Sequence, residues 1–289
     1  MAAGQLVPAT SKYPRVRLGG VPVFLYHGLT SAQEFAAPSR ERDYWILAAR
    51  FKEHLDQIRQ SGYRAWLLEE LWHVGRRTPS TSATQGNGWQ APRVALTFDD
   101  GLTSAYEIAY PLLLEAGMRA DFFVNTASIG KPGFLSWAQI LEMHGAGMSF
   151  QSHSHHHLYL TWLPASTLQE QLRCSKRILE DQLGQPVDFL SVPFGDLNGR
   201  VLEAARDLGY RAVCSSWSWT ARLGAPVVGR VVMHSRTTVG DFRRFLTGSP
   251  VPYLARATRG CLMYFPKRLL LRFRPSPPPS GYLAPVVQK

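Results

Sequence analysis

Two adjacent carboxylates, Asp99 and Asp100, follow the apolar run Val94 to Phe98, and the stretch His153-Ser154-His155-His156-His157 begins 53 positions after Asp100. Paired charges at the end of a buried strand are costly unless something compensates them, and a divalent cation would. His153 and His157 are four apart, so if this stretch opens a helix both imidazoles share one face and can chelate one ion. Two imidazoles and one carboxylate leave a coordination position open, which is the catalytic rather than the structural arrangement. Such an ion acidifies a bound water, and the remaining aspartate can take its proton. The chemistry these residues suggest is metal-assisted hydrolysis. Taken singly, each element has a plainer reading. The aspartates suit a turn and a helix N-cap, the histidines a decorated surface, and Pro193-Phe194-Gly195 an ordinary turn.

The elements that must position these residues alternate between short β-rich runs and helical patterns. Strands are predicted at 21–26, 63–68, 94–98, 120–125, 147–152, 187–192, 210–215 and 227–233. Helices are predicted at 41–61, 104–116, 136–146, 199–208 and 241–246, and a long one capped by Ser166 and ending near Gly184. Residues 75–92, rich in Ser, Thr, Gly and Pro, read as a surface loop. Strands separated by helices mean parallel βαβ units, in a barrel or a doubly wound sheet. In either, active sites lie beyond the C-terminal strand ends. Those ends are followed by His27, by Asp99-Asp100-Gly101, by His153 to His157, by Pro193-Phe194-Gly195 and by His234. No GxGxxG follows the first strand and no GxxxxGK[ST] occurs, so neither nucleotide-binding variant is supported.

The chain of 289 residues is 45% hydrophobic and 18% charged, which suits a large globular core and excludes disorder, collagen and coiled coil for the whole. Its net charge of +11 points to an anionic partner. Nucleic acid is disfavoured, because the basic residues are dispersed rather than interleaved with stacking aromatics in one element. Cys174, Cys214 and Cys261 lack zinc-thiolate spacing and read as reduced thiols. The first twenty residues hold no apolar leader and no run reaches 18 apolar residues, so a cytoplasmic location is expected. The organisation expected is an N-terminal extension at 1–20, one barrel at 21–250 and a basic, Pro-rich extension at 251–289. That tail carries Arg256, Arg259, Lys267, Arg268, Arg272 and Arg274 among apolar residues. It reads either as a solvated cap on the barrel or as a peripheral contact with the anionic inner face of a membrane.

Thr97-Phe98-Asp99-Asp100-Gly101 resembles the TFDDG motif of the polysaccharide deacetylases, the NodB-homology or carbohydrate esterase family 4 proteins. His153-Ser154-His155-His156-His157, followed by Leu160, resembles their H-[ST]-x-x-H-x-x-L motif. The opening Pro22-Val23 to Tyr26-His27 resembles the exopolysaccharide N-deacetylase subgroup. The resemblance implies a distorted (β/α) barrel of about seven parallel strands. It implies Asp100, His153 and His157 as ligands of a divalent metal, most often Zn2+, and Asp99 as the base that activates the metal-bound water. The implied reaction is hydrolysis of the C–N bond of an N-acetyl group on an amino sugar of a polysaccharide or glycolipid. Pro193, Phe194 and Gly195 would contact substrate, with a backbone N–H near Phe194 helping at the oxyanion. His155 and His156 fall outside the ligand set. Three departures stand out. Ser191 occupies the place of the family's third-motif arginine, which orients the catalytic aspartate. Trp217 or Trp219 would have to serve as the acetyl-pocket tryptophan. Val232-Met233-His234 matches the last motif loosely, leaving His234 and His27 as candidate acids and Arg230 as a competing functional residue. The alternatives are a non-catalytic carbohydrate-binding relative and an amidase acting on another small amide.

Overall fold

In the computed structural model, which describes residues 20–31, 42–77, 91–217, 221–222, 224–249 and Tyr253, side-chain alternation along short parallel strands separates two apolar layers. The strands are β1 (Val23–Tyr26), β2 (Gly28–Thr30), β3 (Trp45–Leu47), β4 (Arg64–Ala65), β5 (Arg93–Phe98), β6 (Asp121–Val124), β7 (Ser149–Ser152), β8 (Phe189–Ser191), β9 (Ala212–Ser215), β10 (Val227–Gly229) and β11 (Val231–Val232). The helices are α1 (Ala48–Gln60), α2 (Leu68–Arg77), α3 (Tyr110–Ala116), α4 (Trp137–Gly145), α5 (Ala165–Leu183), α6 (Gly199–Asp207) and α7 (Val239–Leu246). The main sheet runs β10-β9-β8-β7-β6-β5-β1-β11, every pair parallel. Only Arg230 separates β10 from β11, yet β10 pairs with β9 and β11 with β1. One interrupted stave therefore closes the ring, and a distorted barrel of seven staves results.

Alternation explains the layers. Val94, Leu96 and Phe98 of β5 join the cluster that packs against helices, with Phe51, Leu55 and Ile58 of α1. Ala95 of the same strand joins the interior cluster with Val23, Phe123, Phe189, Ala212, Cys214 and Val228. Leu68 and Leu71 of α2 belong to that interior cluster as well, so α2 packs on the barrel interior. Helix ends follow local chemistry. Ser136 and Gln139 form a reciprocal capping box at the start of α4, and Gly117 and Gly184 end α3 and α5 in the left-handed conformation.

Several expected elements are corrected. The predicted helix 41–61 starts only at Ala48, because Trp45–Leu47 pairs with Gly28–Thr30 as β3. The predicted strand 63–68 is reduced to Arg64–Ala65, and its end turns into α2, whose Leu68, Leu71 and Val74 carry helical spacing. The helix predicted from Ser104 is a π-helical turn at Ala105–Ala109 before α3, and the Ser104 hydroxyl accepts Leu29 N–H at 3.1 Å instead of capping. α5 begins at Ala165 with Pro164, not Ser166, at its N-cap. Residues 75–77 complete α2, and 78–90 lie outside the described residues, as do the 1–19 extension, Cys261 and the 251–289 tail apart from Tyr253. Among the described residues no helix is long and apolar enough to cross a membrane.

Asp121, fully buried at the start of β6, accepts Leu68 N–H at 3.0 Å and so ties the first turn of α2 to the barrel. Burial pushes its carboxyl up to about 7, against the Leu68 hydrogen bond, which lowers it. A raised carboxyl pKa means that the folded chain holds a proton the unfolded chain releases near pH 3.9. Its contribution is therefore full below about pH 4 and is lost as pH rises toward 7. Unfolding free energy should fall between about pH 4 and 6.5, by an amount on the order of a few kcal/mol. Denaturant melts of Asp121→Asn should show a flatter slope over that window; an unchanged slope would remove Asp121 as its source.

Candidate active site

Each strand end anticipated to carry chemistry opens onto the same rim. Asp99 continues from β5, its N–H donating to Tyr26 O at 3.0 Å, and its side chain is buried. Asp100 then turns away through a left-handed residue (φ 75°) followed by Gly101 (φ 71°), where a Cβ would sit 2.9 Å from Val124 Cγ1. His153 extends β7, its N–H donating to Val124 O at 2.9 Å.

His157 does not reach the site along a helix. Residues 153–158 are irregular, and the turn is made by left-handed residues at Ser154 (φ 64°) and His157 (φ 55°). The Ser154 hydroxyl accepts His157 N–H at 3.2 Å, which gives the serine of this motif a local task. Leu160, fully buried, anchors the outgoing chain in the core. Among the described residues four non-glycine positions have positive φ, namely Asp100, Ser154, His157 and Phe194, and all four lie in these loops. Backbone strain of this kind persists where surrounding structure over-determines it, and it clusters at functional sites.

The loops bring Asp100, His153 and His157 together. The two histidine Nε2 atoms are 3.1 Å apart, and each is 3.3 Å from Asp100 Oδ1. Ligands held about 2.0–2.1 Å from a tetrahedral ion are about 3.3 Å from one another, so this donor set fits a small divalent cation. His153 Nδ1–H donates to Ser191 O at 2.8 Å, which directs Nε2 inward as the donor atom. Burial alone would keep His153 neutral, but the Asp99 and Asp100 carboxylates outweigh it and raise its pKa. A place that draws a proton onto a buried imidazole also suits a cation. Burial likewise opposes charge on Asp100, yet hydrogen bonds from His153 and His157 hold its carboxyl well below the usual range.

Asp99 stands apart from that trio. Its Oδ2 is 4.0 Å from His153 Nε2, too far for a hydrogen bond. Its partner is Arg230, 0% exposed, at the break between β10 and β11. Arg230 Nη1 donates to Asp99 Oδ1 at 2.7 Å and Nη2 to Oδ2 at 2.8 Å. Nη2 also donates to Ser191 Oγ at 2.7 Å, Nη1 to Thr97 Oγ1 at 3.3 Å and Nε to Ser215 O at 3.3 Å. All five guanidinium donors are thus used. Ser191 Oγ–H in turn donates to Asp99 Oδ2 at 2.9 Å. The serine standing where a family arginine was expected is small enough to admit Arg230 from another stave. Burial would raise the Asp99 pKa, but the charge and hydrogen bonds of Arg230 prevail and hold it below its ordinary value. A carboxylate offers about four acceptor positions. Arg230 and Ser191 take three, leaving one on Oδ1.

Pro193 to Gly195 form a tight turn after β8, with Phe194 left-handed (φ 60°) and 45% exposed. Gly195 is required here, since a Cβ would lie 2.7 Å from the Ser216 side chain. Phe194 stands edge-on to His157, ring centroids 4.6 Å apart. On the other side Tyr44, 42% exposed, lies between His27 and His234 at 5.1 and 5.2 Å. Burial lowers the pKa of His27, outweighing the nearby charges of Asp100 and Asp99. His155 and His156 point elsewhere, to Thr126 Oγ1 at 2.7 Å and to Gln171. Trp217 is half-buried beside Ser215, and Trp219 lies outside the described residues. Sequence reasoning passed over Tyr44, whose ring lies between those of His27 and His234.

The family model described as polysaccharide deacetylase matches residues 87–213. Over 191 residues the chain is 30% identical to YxkH of Bacillus subtilis (strain 168), a polysaccharide deacetylase by name, covering 66% of this chain and 62% of that protein. A peptidoglycan-N-acetylglucosamine deacetylase of Bacillus cereus is 28% identical over 152 residues, 50% of this chain and 69% of that protein. The solved structure of IcaB from Ammonifex degensii superposes with a TM-score of 0.65 at 26% identity, covering 79% of this chain and 97% of that one.

Proposed function

We propose that this chain, whose residues 87–213 match the polysaccharide deacetylase family model and which is 30% identical over 191 residues to a protein of that name, hydrolyses N-acetyl groups of amino sugars with a divalent metal held by Asp100, His153 and His157. The observation that carries the reading is the convergence of those three donor atoms, with His153 Nδ1 committed to Ser191 O. A Zn2+ ion bound there would supply Lewis acidity toward the amide carbonyl and lower the pKa of a water. The remaining work falls to the chain. Asp99, kept ionised by Arg230, takes the proton released as water adds to the acetyl carbon. The backbone N–H near Phe194 stabilises the developing oxyanion. His27 and His234, on either side of Tyr44, are the candidates for returning a proton to the leaving amine. The products are acetate and a free amine.

The names of the relatives support an N-acetylated glycan as substrate. The test is acetate release from a panel of N-acetylated saccharides by the full chain. We expect acetate with zinc present and none after chelation, with activity restored on adding zinc back. Full activity in metal-free protein would refute the metal-dependent reading. Acetate from simple anilides but from no saccharide would instead favour an amidase on another small amide.

A further inference from the structure

Resting on the metal-dependent reading above, we propose that the loop of residues 125–135, which supplies no ligand, braces the metal site. Asn125 and Thr126 are its positioning residues, one for each of the two segments that carry the ligands. The sheet order places this loop. β6 lies between β5 and β7, so the chain leaving β6 runs between the segment of Asp100 and that of His153 and His157. It is hydrogen-bonded to both.

Toward the aspartate, Asn125 Nδ2–H donates to Asp100 O at 3.0 Å. Leu135 N–H donates to Gly101 O at 2.8 Å, Thr103 N–H donates to Gly133 O at 3.0 Å, and Leu102 forms an antiparallel bridge with Phe134. Toward the histidines, Ala127 N–H donates to His155 O at 3.0 Å and Thr126 N–H to Ser154 O at 3.4 Å. Thr126 Oγ1 and His155 Nδ1 share a further hydrogen bond at 2.7 Å. His155 is outside the ligand trio, but it lies midway in sequence between the two histidines that belong to it.

Two observations separate this brace from a loop that only satisfies its own backbone. The first is where the contacts land. Asp100 and Ser154 are left-handed, and a non-glycine residue stays so only where its surroundings hold it. The loop bonds to the carbonyls of both. The second is Asn125 itself. It is 1% exposed, and its Oδ1 is sealed from solvent with no hydrogen-bond partner among the described residues. Burying an unpaired amide oxygen weakens a fold, which an apolar side chain of similar size avoids. The bond this amide does make goes to the backbone of the aspartate ligand. Asn125 therefore serves the geometry of Asp100 at some expense to stability.

The test is the Zn2+ affinity of the full chain, read by competition with a chromophoric chelator, beside the melting temperature of the metal-free protein. Asn125→Leu removes the donor and the unpaired oxygen together, so the metal-free chain should melt close to the parent. Its zinc affinity should nonetheless fall by about 10–100-fold, the usual effect of losing a partner that orients a ligand. Thr126→Val should weaken zinc binding as well, and Thr126→Ser, which keeps the hydroxyl, should restore it. With Co2+ in place of zinc, the visible spectrum of Asn125→Leu should differ from the parent's, because it follows ligand geometry. If Asn125→Leu does not fold, Asn125→Ala and the two Thr126 variants carry the test. Parent-like zinc affinity in folded Asn125→Leu and Thr126→Val chains would overturn the brace and leave the metal-dependent reading standing. A parent chain that takes up no zinc would overturn that reading, and the brace with it.

Discussion

Asp99→Asn should lower the rate of acetate release by about 10²–10⁴-fold, the usual contribution of a positioned general base, while about one zinc per chain is still bound. The separation follows from geometry. Asp100 Oδ1 lies 3.3 Å from both imidazole Nε2 atoms, whereas Asp99 Oδ2 is 4.0 Å from the nearer one. The two carboxylates are neighbours in sequence but have different partners. Asparagine keeps one oxygen for Arg230 Nη1 and an N–H₂ group that can donate to Ser191 Oγ but faces the Arg230 Nη2 donor, and it cannot take a proton. It also leaves the buried guanidinium without its counter-charge, so some loss of stability is expected alongside the lost rate. Melting curves and zinc content, measured with kcat, keep the effects apart. A folded, zinc-loaded Asp99→Asn chain with an unchanged kcat would remove Asp99 from the role of base.

Replacing Arg230 should be the most damaging single change to the framework. In Arg230→Met the Asp99 carboxylate stays buried with the Ser191 hydroxyl as its remaining side-chain hydrogen-bond donor, and breaking a buried pair on one side costs about 3–5 kcal/mol. With the guanidinium gone, burial dominates and the Asp99 pKa rises. The base is then ionised over a narrower range, so the acid limb of the kcat profile should move to higher pH. The rate at neutral pH should fall by about 10–100-fold, mostly in kcat rather than KM, because on the proposed mechanism the buried Arg230 acts through Asp99 and does not touch substrate. Arg230→Lys restores a charge but not the paired contacts to both carboxylate oxygens, so it should rescue stability better than rate. A purely structural arginine would lower the melting temperature and leave the pH profile where it was. That result would refute its role as the positioning residue.

Much of this site was legible because the barrel imposes a simple rule. Parallel strands deliver their C-terminal ends to one rim, so the residues just beyond each strand gather Asp99, Asp100, His153, His157 and Phe194 before any distance is known. Helix ends were legible where a local interaction decides them, as at Ser136, Gly117 and Gly184. Elements that failed to show were those fixed by distant partners. The Trp45–Leu47 segment carries helical spacing with the residues after it, yet its backbone pairs with Gly28–Thr30. α2 is short, and its apolar face is explained by the barrel interior it packs on.

The sequence by itself determined the candidate site's inventory: an Asp-Asp pair, a histidine pair at i and i+4, and strands to carry them. It could not determine how the histidines meet. Helical spacing was a sufficient reason for their convergence, but the chain achieves it with two left-handed residues and a serine hydrogen bond. Nor could it choose between Arg230 and His234, or tell whether Ser191 meant a missing arginine. That was decided where the ring closes. The last stave must pair with β9 at one end and β1 at the other, and the break this forces falls at Arg230. Its side chain enters the barrel opposite Ser191 and meets Asp99, a partner 131 residues away. Local chemistry can be read from neighbours in sequence; a buried ion pair across a closed barrel exists only once the barrel has closed.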